Sequence, residues 1–210
     1  FKINKTPHFN IYNYLDSNKV INDFARQTEH WYDRHFSIFR DTVKNNPLIL
    51  YNNHTDFKQT TVISGLINVG TGGVTEGLRQ RVVMPIMESN RETDHVLGHE
   101  MVHVFQYNLV KKSDSLGFES LQNLPLWMIE GLAEYMSIGS KDNKTAMWLR
   151  DAVIHDDIPT MEEMTKYPNR YFPYRYGHAF WAFVTGIWGD AMIKPLFYTT
   201  AKYGLERATQ

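Results

Sequence analysis

Two histidines four residues apart enclose a glutamate in the sequence His99-Glu100-Met101-Val102-His103. On a helix, residues four apart lie on the same face, one turn above the other. His99 and His103 can therefore present two imidazole nitrogens to one metal ion, and Glu100 can reach a water molecule beside that ion without being a ligand. The pattern predicts a catalytic zinc site, because zinc takes nitrogen and carboxylate ligands and leaves a position open for water.

The same five residues would also fit an amphipathic helix with two histidines on its polar face, so the rest of the chain has to supply the missing parts of a site. The chain contains no cysteine. Disulfide bonds and thiolate ligands are therefore excluded, and zinc would have to be held by His, Asp or Glu. A catalytic zinc site takes three protein ligands, and the two histidines leave one to be found.

Two glutamates four residues apart, Glu130 and Glu134, lie in the otherwise apolar segment 126–135. Carboxylates on a largely buried helix cost free energy unless they are paired or bind a metal. We assign Glu130 as the third ligand and expect Glu134 to accept a hydrogen bond from the outer nitrogen of a ligating histidine. The alternatives are that the two roles are exchanged, or that both glutamates are solvated or paired with Lys or Arg. Gly131 is expected to let this helix approach the metal helix closely.

The composition indicates a globular chain without a strong electrostatic field. Its 210 residues, 42% of them hydrophobic, are enough for one sizeable domain with a core. A net charge of −1 argues against a nucleic-acid or anionic-membrane partner. No apolar run reaches the ~20 residues that a membrane helix needs, because the nearest, 179–188, is short and contains Thr185 and Gly186.

Hydrophobic periodicity predicts strands mixed with helices in the first half of the chain. Strands are expected over 8–15, 48–51 and 79–87, with Pro85 placing part of the last one at a sheet edge. Between them we expect a helix capped by Asp16 or Ser17, a small helix from Thr55 or Asp56 toward 62, and a glycine-rich loop or hairpin over 64–77. Ser89 and Glu92 form a capping box that predicts a helix over about 90–109, with the metal motif at its middle.

The second half of the chain is predicted to be helical. After a polar connection over 113–123 we expect helices from Pro125 to 137, from Asp142 to 153, over 174–187 and from Asp190, with an irregular segment around Pro159, Pro168 and Pro173. The predicted fold class is α+β, in a single domain. An α/β lobe, 1–110, would contain a twisted sheet and the metal helix, and a mainly helical lobe would follow over 111–210.

The two motifs together resemble those of the gluzincin metallopeptidases, specifically the peptidase-MA-like group. The likeness extends to the blocks 57–61, 72–76, 81–85 and 174–181, which are similar to those of bacterial exported members. It implies a zincin-like fold in which His99, His103 and Glu130 bind zinc and Glu100 is the catalytic base. It also implies an extracytoplasmic location and a β-propeller of the TolB type in the full-length chain. The start at Phe1, without Met, agrees with removal of a leader or tag.

For peptide hydrolysis a donor besides zinc is needed for the developing oxyanion. Gluzincins commonly use a Tyr or His of the helical lobe, and the candidates here are Tyr174, Tyr176 and His178, of which Tyr176 is preferred. The peptide or protein substrate is expected to add to the strand 79–87 by main-chain hydrogen bonds, unless that strand lies in the core.

The alternative function is a binding module that keeps the zincin fold and docks another domain without catalysis. Intact Glu100 favours the enzyme, whereas exposed aromatic residues would favour docking. Trp181, Phe183 and Trp188 are the aromatic residues that bear on this choice, and we expect them in the core.

Overall fold

The computed structural model describes residues 1–63, 65–112 and 116–209, apart from the side chain of Phe118. The chain divides into two compact units, 1–108 and 109–210, and the boundary falls inside one long helix. Part of the predicted connection 113–123 lies outside the described residues. Among those described, every strand belongs to the first unit, so the protein is of mixed α and β type.

The first unit has a sheet and three helices among its described residues. Its elements are β1 (Lys2–Lys5), β2 (Phe9–Asn13), α1 (Asn18–Phe39), β3 (Asn46–Tyr51), α2 (His54–Phe57), β4 (Val74–Glu76), β5 (Arg81–Pro85) and α3 (Asn90–Lys112), the last of which continues into the second unit. The second unit is helical where it is described. Its elements are a 3-10 helix (Phe118–Asn123), α4 (Leu126–Ile138), α5 (Asn143–Ile154), α6 (Met161–Lys166), α7 (Pro173–Trp188), a second 3-10 helix (Asp190–Met192), α8 (Ile193–Tyr203) and α9 (Leu205–Ala208).

The five strands form one mixed sheet in the order β1-β2-β3-β5-β4. The three central strands run parallel, and the outer strands β1 and β4 run antiparallel to their neighbours. Part of the predicted strand 79–87 is interior, because Val82 and Val83 pair with β3 on one side and β4 on the other. Met84 and Pro85 pair with β3 alone, so this part lies at an edge as predicted. Pro85 lies beyond the residues that pair with β4, where its missing N–H leaves no gap in that ladder.

Four of the predicted helix starts are confirmed, whereas α2 begins at His54 and is capped by Asn53, not by Thr55 or Asp56. Ser17 accepts a hydrogen bond from the Val20 N–H at the start of α1, and Ser89 accepts one from the Glu92 N–H at the start of α3. Pro125 precedes α4, and Asp142 caps α5 through the Thr145 N–H. Sequence reasoning missed β1, β4, α6 and α9, which are all six residues long or shorter.

A glycine brings α1 and α3 into close contact within the first unit. A Cβ built on Gly98 would lie 2.7 Å from the Trp31 ring, so only glycine fits there without displacing Trp31. The Nε2–H of buried His35 donates to the Gly98 carbonyl at 3.0 Å, and the Trp31 indole N–H donates to Asp94 at 3.0 Å. These contacts fix α3 at the residue immediately before His99.

We expect His35 to make the protein less stable as the pH falls. Burial, aided by the positive charge of Arg34, lowers the pKa of His35 from 6.5 to about 3. Below pH 6.5 the unfolded chain therefore binds a proton that the folded chain does not, so this stability is complete above pH 6.5 and is lost as the pH falls toward 3. As the pH falls from 6.5 toward 3, the free energy of unfolding should therefore decrease more steeply in wild type than in His35→Gln. The expected difference in slope is about 1.4 kcal/mol per pH unit.

Urea unfolding between pH 7 and pH 4, with a chelator present so that bound metal does not contribute, measures this slope. His30→Gln, an exposed position on the same helix, is the control and should keep the wild-type slope. Equal slopes for wild type and His35→Gln would contradict the assignment.

In the second unit a pair of glycines brings α4 and α7 together. A Cβ on Gly131 would lie 2.2 Å from the Gly177 carbonyl carbon, and one on Gly177 would lie 1.8 Å from the Trp127 carbonyl oxygen. Gly131 allows a close approach within its own unit, where its partner is Gly177 of α7. The Trp181 indole N–H donates to the Met128 carbonyl at 2.9 Å, across the same contact.

The expectation that three aromatic residues of α7 lie in the core is correct for one of them. Trp181 is fully buried, whereas Phe183 and Trp188 are 63% and 58% exposed. The Phe183 and Trp188 ring centroids lie 6.5 Å apart, and Ile187 is also exposed. In the described part of the chain, no helix has the length and apolar character needed to cross a bilayer.

Candidate metal centre

The helix α3 brings His99 and His103 together as the spacing predicts. Both are buried, and their Nε2 atoms lie 3.3 Å apart. Two nitrogen ligands at 2.0–2.1 Å from a tetrahedral zinc ion would be separated by about 3.3 Å. The two imidazoles are therefore already spaced as a pair of zinc ligands would be.

Gln106 sets the tautomer of His103. The amide Oε1 of Gln106 lies 2.8 Å from His103 Nδ1, and an amide oxygen only accepts, so Nδ1 carries the proton. The lone pair of neutral His103 is then on Nε2, which faces His99. This nitrogen is able to accept a hydrogen bond from His99 or to bind a cation. Buried Gln106 was missed in the sequence, although its spacing of three from His103 places both on one helical face.

Glu100 is buried and held from the sheet side. Thr75 of β4 donates its hydroxyl to Glu100 Oε2 at 2.7 Å, and the same Oγ1 lies 3.0 Å from the Glu100 carbonyl oxygen. A Cβ on Gly73 would lie 2.8 Å from Glu100 Cγ, and a Cβ on Gly72 would lie 2.8 Å from a Val96 methyl. The glycine-rich segment, predicted only as a loop or hairpin, thus packs directly on the motif helix.

The second unit holds the two glutamates of α4 in different environments. Glu130 is half-buried, whereas Glu134 is 3% exposed and accepts a hydrogen bond from Arg175 Nη1 at 3.0 Å. The same nitrogen lies 3.1 Å from Asp142 Oδ2. Pairing with Arg, one of the alternatives left open by the sequence, is therefore observed for Glu134.

Hydrogen bonds and charge keep the Asp142 carboxylate ionised beside Arg175. Burial acts to raise its pKa, but the Thr145 N–H and the Arg175 charge outweigh burial, so the pKa of Asp142 is lowered. Arg175 thus joins α7 to α4 and to the start of α5 within one unit. Neither periodicity nor spacing in the sequence predicts this role for Arg175.

The three predicted oxyanion donors lie on α7 in different surroundings. Tyr176 is buried and packs edge-on against Trp148 and Tyr171, with ring centroids 6.2 and 5.5 Å away. Tyr174 is half-buried and stacks on Phe172 at 5.1 Å. His178 donates its Nε2–H to the Gly139 carbonyl at 2.8 Å, so its neutral tautomer is fixed.

Burial, followed by the negative charges of Asp157 and Asp151, raises the pKa of Tyr176. Its hydroxyl therefore stays protonated at neutral pH and is able to donate a hydrogen bond. The same contacts that raise the pKa also make Tyr176 part of an aromatic cluster within the second unit.

Comparison with known proteins supports a peptidase domain. Residues 77–167 match the family model described as "BSP: Peptidase of plants and bacteria". The matched segment includes the His99–His103 motif and both glutamates of α4. A search of the curated proteins found no match. The described residues also include groups of His and Glu side chains that could hold a metal ion.

Proposed function

We propose that the chain is a zinc-dependent peptidase in which His99, His103 and Glu130 bind the metal and Glu100 is the general base. The observation that carries this proposal is the buried turn of α3, where two imidazole nitrogens lie 3.3 Å apart and buried Glu100 follows His99 in the sequence. The match to a peptidase family supports a peptide or protein as the proposed substrate. More specifically, we propose that the site is of the gluzincin type found in the peptidase-MA-like group.

The pairing of Glu134 with Arg175 supports Glu134 as the supporting residue and Glu130 as the third ligand. Glu130 is half-buried one turn earlier on the same apolar helix, where binding a cation would offset the cost of burying its carboxylate. Glu134 then serves as the proposed acceptor for the outer nitrogen of a ligating histidine, and Arg175 holds it in place.

Separate residues have separate roles in the proposed hydrolysis. When bound, zinc lowers the pKa of water toward ~7 and polarises the scissile carbonyl. Glu100 takes the proton of the attacking water and passes it to the leaving amine. Because Thr75 engages Oε2, Oε1 of Glu100 is the atom that faces the water. Since β4 and not β5 forms the sheet edge beside Glu100, an extended peptide would add to β4.

Tyr176 is proposed to donate its hydroxyl hydrogen bond to the oxyanion. We expect Tyr176→Phe to lower kcat by about 10²–10³-fold, the effect of losing one such donor, with KM and thermal stability little changed. Steady-state kinetics with a fluorogenic peptide measures the effect, and Tyr203→Phe, an exposed tyrosine, is the control. An unchanged kcat would reject Tyr176 and move the role to Tyr174 or His178.

The proposed activity is tested directly with a fluorogenic peptide library. Cleavage should stop when zinc is removed by a chelator and return when zinc alone is added back. Cleavage that persists in the metal-free protein would reject the zinc mechanism. An extracytoplasmic location and an attached β-propeller are further proposals from the family resemblance, tested by fractionating cells that express the full-length gene.

A second candidate function is docking of another domain without catalysis. Exposed Phe183, Ile187 and Trp188 on α7 favour it, because clustered apolar residues at a surface mark interaction sites. This reading predicts that zinc-loaded protein cleaves nothing in the library, whereas the peptidase reading predicts zinc-dependent cleavage.

A further inference from the structure

Thr75 is the central residue of the short edge strand β4, and its side chain points toward α3. It is buried, whereas its neighbours Val74 and Glu76 are half-buried and point the other way. Pairing with Val82 ties Thr75 to the interior strand β5. Its position is thus set by the sheet main chain and not by a flexible loop.

The Thr75 hydroxyl lies near two acceptors that belong to the same residue. Its Oγ1 is 2.7 Å from Glu100 Oε2 and 3.0 Å from the Glu100 carbonyl oxygen. The contact with the side chain fixes one carboxylate oxygen, and the contact with the main chain fixes the hydroxyl itself relative to the helix. A free glutamate side chain has three rotatable bonds, and the contact with Oε2 restricts their rotation.

Gly73 completes the environment of the same carboxylate. A Cβ at this position would come within 2.8 Å of Glu100 Cγ and 3.0 Å of Oε1. Oε1 is the oxygen that Thr75 does not hold, so the missing side chain at Gly73 keeps space open beside it. Gly73 has no unusual backbone conformation, and space, not flexibility, is therefore the reason for glycine here.

We propose that Thr75 is a positioning residue that aims the Glu100 carboxylate at the reacting water, with Gly73 providing the necessary space. The inference rests on the proposed peptidase function and deepens it, because it assigns a role to residues outside the metal-binding motif. The Thr75 side chain acts through Glu100, whereas the proposed contact of β4 with substrate is made by its main chain. Losing it should slow the chemical step without weakening substrate binding.

A structural role for Thr75, holding β4 against α3, would give different results. It would lower stability and disturb the substrate-binding strand, so KM and kcat would change together. The hydroxyl's role in positioning is isolated by Thr75→Val, which keeps the shape and strand preference of threonine, and by Thr75→Ser, which keeps the hydroxyl. Gly73→Ala perturbs the same carboxylate from the other side, and Gly70→Ala is its control because a Cβ there meets nothing within 4 Å.

The test uses the zinc-loaded full chain and the library peptide that wild type cleaves fastest. We expect Thr75→Val to lower kcat by about 10–100-fold, as for other residues that orient a catalytic group, with unchanged zinc content and KM. Thr75→Ser should restore most of the activity, Gly73→Ala should lower kcat, and Gly70→Ala should match wild type.

The role of Thr75 is rejected if Thr75→Val keeps the wild-type kcat, or if Thr75→Ser loses as much activity as Thr75→Val. If Thr75→Val does not fold, the other variants decide. The proposal is then rejected if Gly73→Ala has the same kcat as Gly70→Ala, or if Thr75→Ser loses most of its activity. Absence of zinc-dependent cleavage in wild type would instead reject the peptidase function itself, so the two failures are distinguishable.

Discussion

Replacing Glu100 by Gln is expected to lower kcat/KM by about 10²–10⁴-fold, the usual contribution of a general base, while the protein keeps its zinc. Gln has nearly the same shape and can still accept the hydroxyl of Thr75 through its amide oxygen. It cannot take a proton from water at neutral pH, so proton transfer alone is removed. The measurements are kcat/KM with a cleaved peptide and zinc content by elemental analysis of the same sample.

Glu88→Gln is the matched control for this prediction. Glu88 is exposed and lies just before α3, so the same change of charge is made without touching the motif. It should leave kcat/KM and zinc content unchanged. Turnover retained by Glu100→Gln would contradict the base assignment, and loss of zinc from that variant would show that Glu100 acts as a ligand.

The second large effect is expected for Glu130→Ala, which removes the proposed third ligand. Loss of groups that only support a ligand costs about 10–100-fold in metal affinity, and loss of the ligand itself should cost at least that. Zinc content after dialysis and affinity in a chelator competition assay measure the change. Hydrolysis should fall in parallel when zinc is limiting.

Glu162→Ala, an exposed glutamate on α6, is the control and should keep full zinc content. A comparison with Glu134→Gln separates the two glutamates of α4, because the proposed acceptor should weaken zinc binding less than the ligand. Full zinc occupancy of Glu130→Ala would place the third ligand elsewhere. A larger loss for Glu134→Gln than for Glu130→Ala would exchange their roles.

Local sequence signals predicted most helices and the pair of histidines. Ser17, Ser89, Pro125 and Asp142 begin helices where expected, because a cap needs only residues within one turn. His99 and His103 meet because helix geometry alone places residues four apart on one face. Each of these features is specified by fewer than six consecutive residues.

Short strands and helices were not predicted, because they contain too few residues for a hydrophobic periodicity to be recognised. The strand β4 has three residues between glycines, and the sequence predicted only a loop or hairpin there. The start of α6 carried a readable signal, since Thr160 and Glu163 form a capping box. The prolines on either side of α6 led to the prediction of irregular structure there.

Contacts between distant residues could not be read from one sequence. Thr75 meets Glu100 across 25 positions, and Arg175 meets Glu134 across 41. Neither pair follows from spacing, because each depends on how separate elements pack. The exposure of Phe183 and Trp188 likewise depends on how α7 packs against other elements, which the apolar composition of that helix does not reveal.

The α3 histidines are proposed to bind a catalytic zinc ion, and the zinc stoichiometry of the protein tests this proposal. Protein prepared free of metal should take up one zinc ion per chain, measured by elemental analysis after reconstitution and desalting. The His99→Ala, His103→Ala double variant should take up none. Wild type that binds no zinc, or a double variant that binds as much zinc as wild type, would contradict the account.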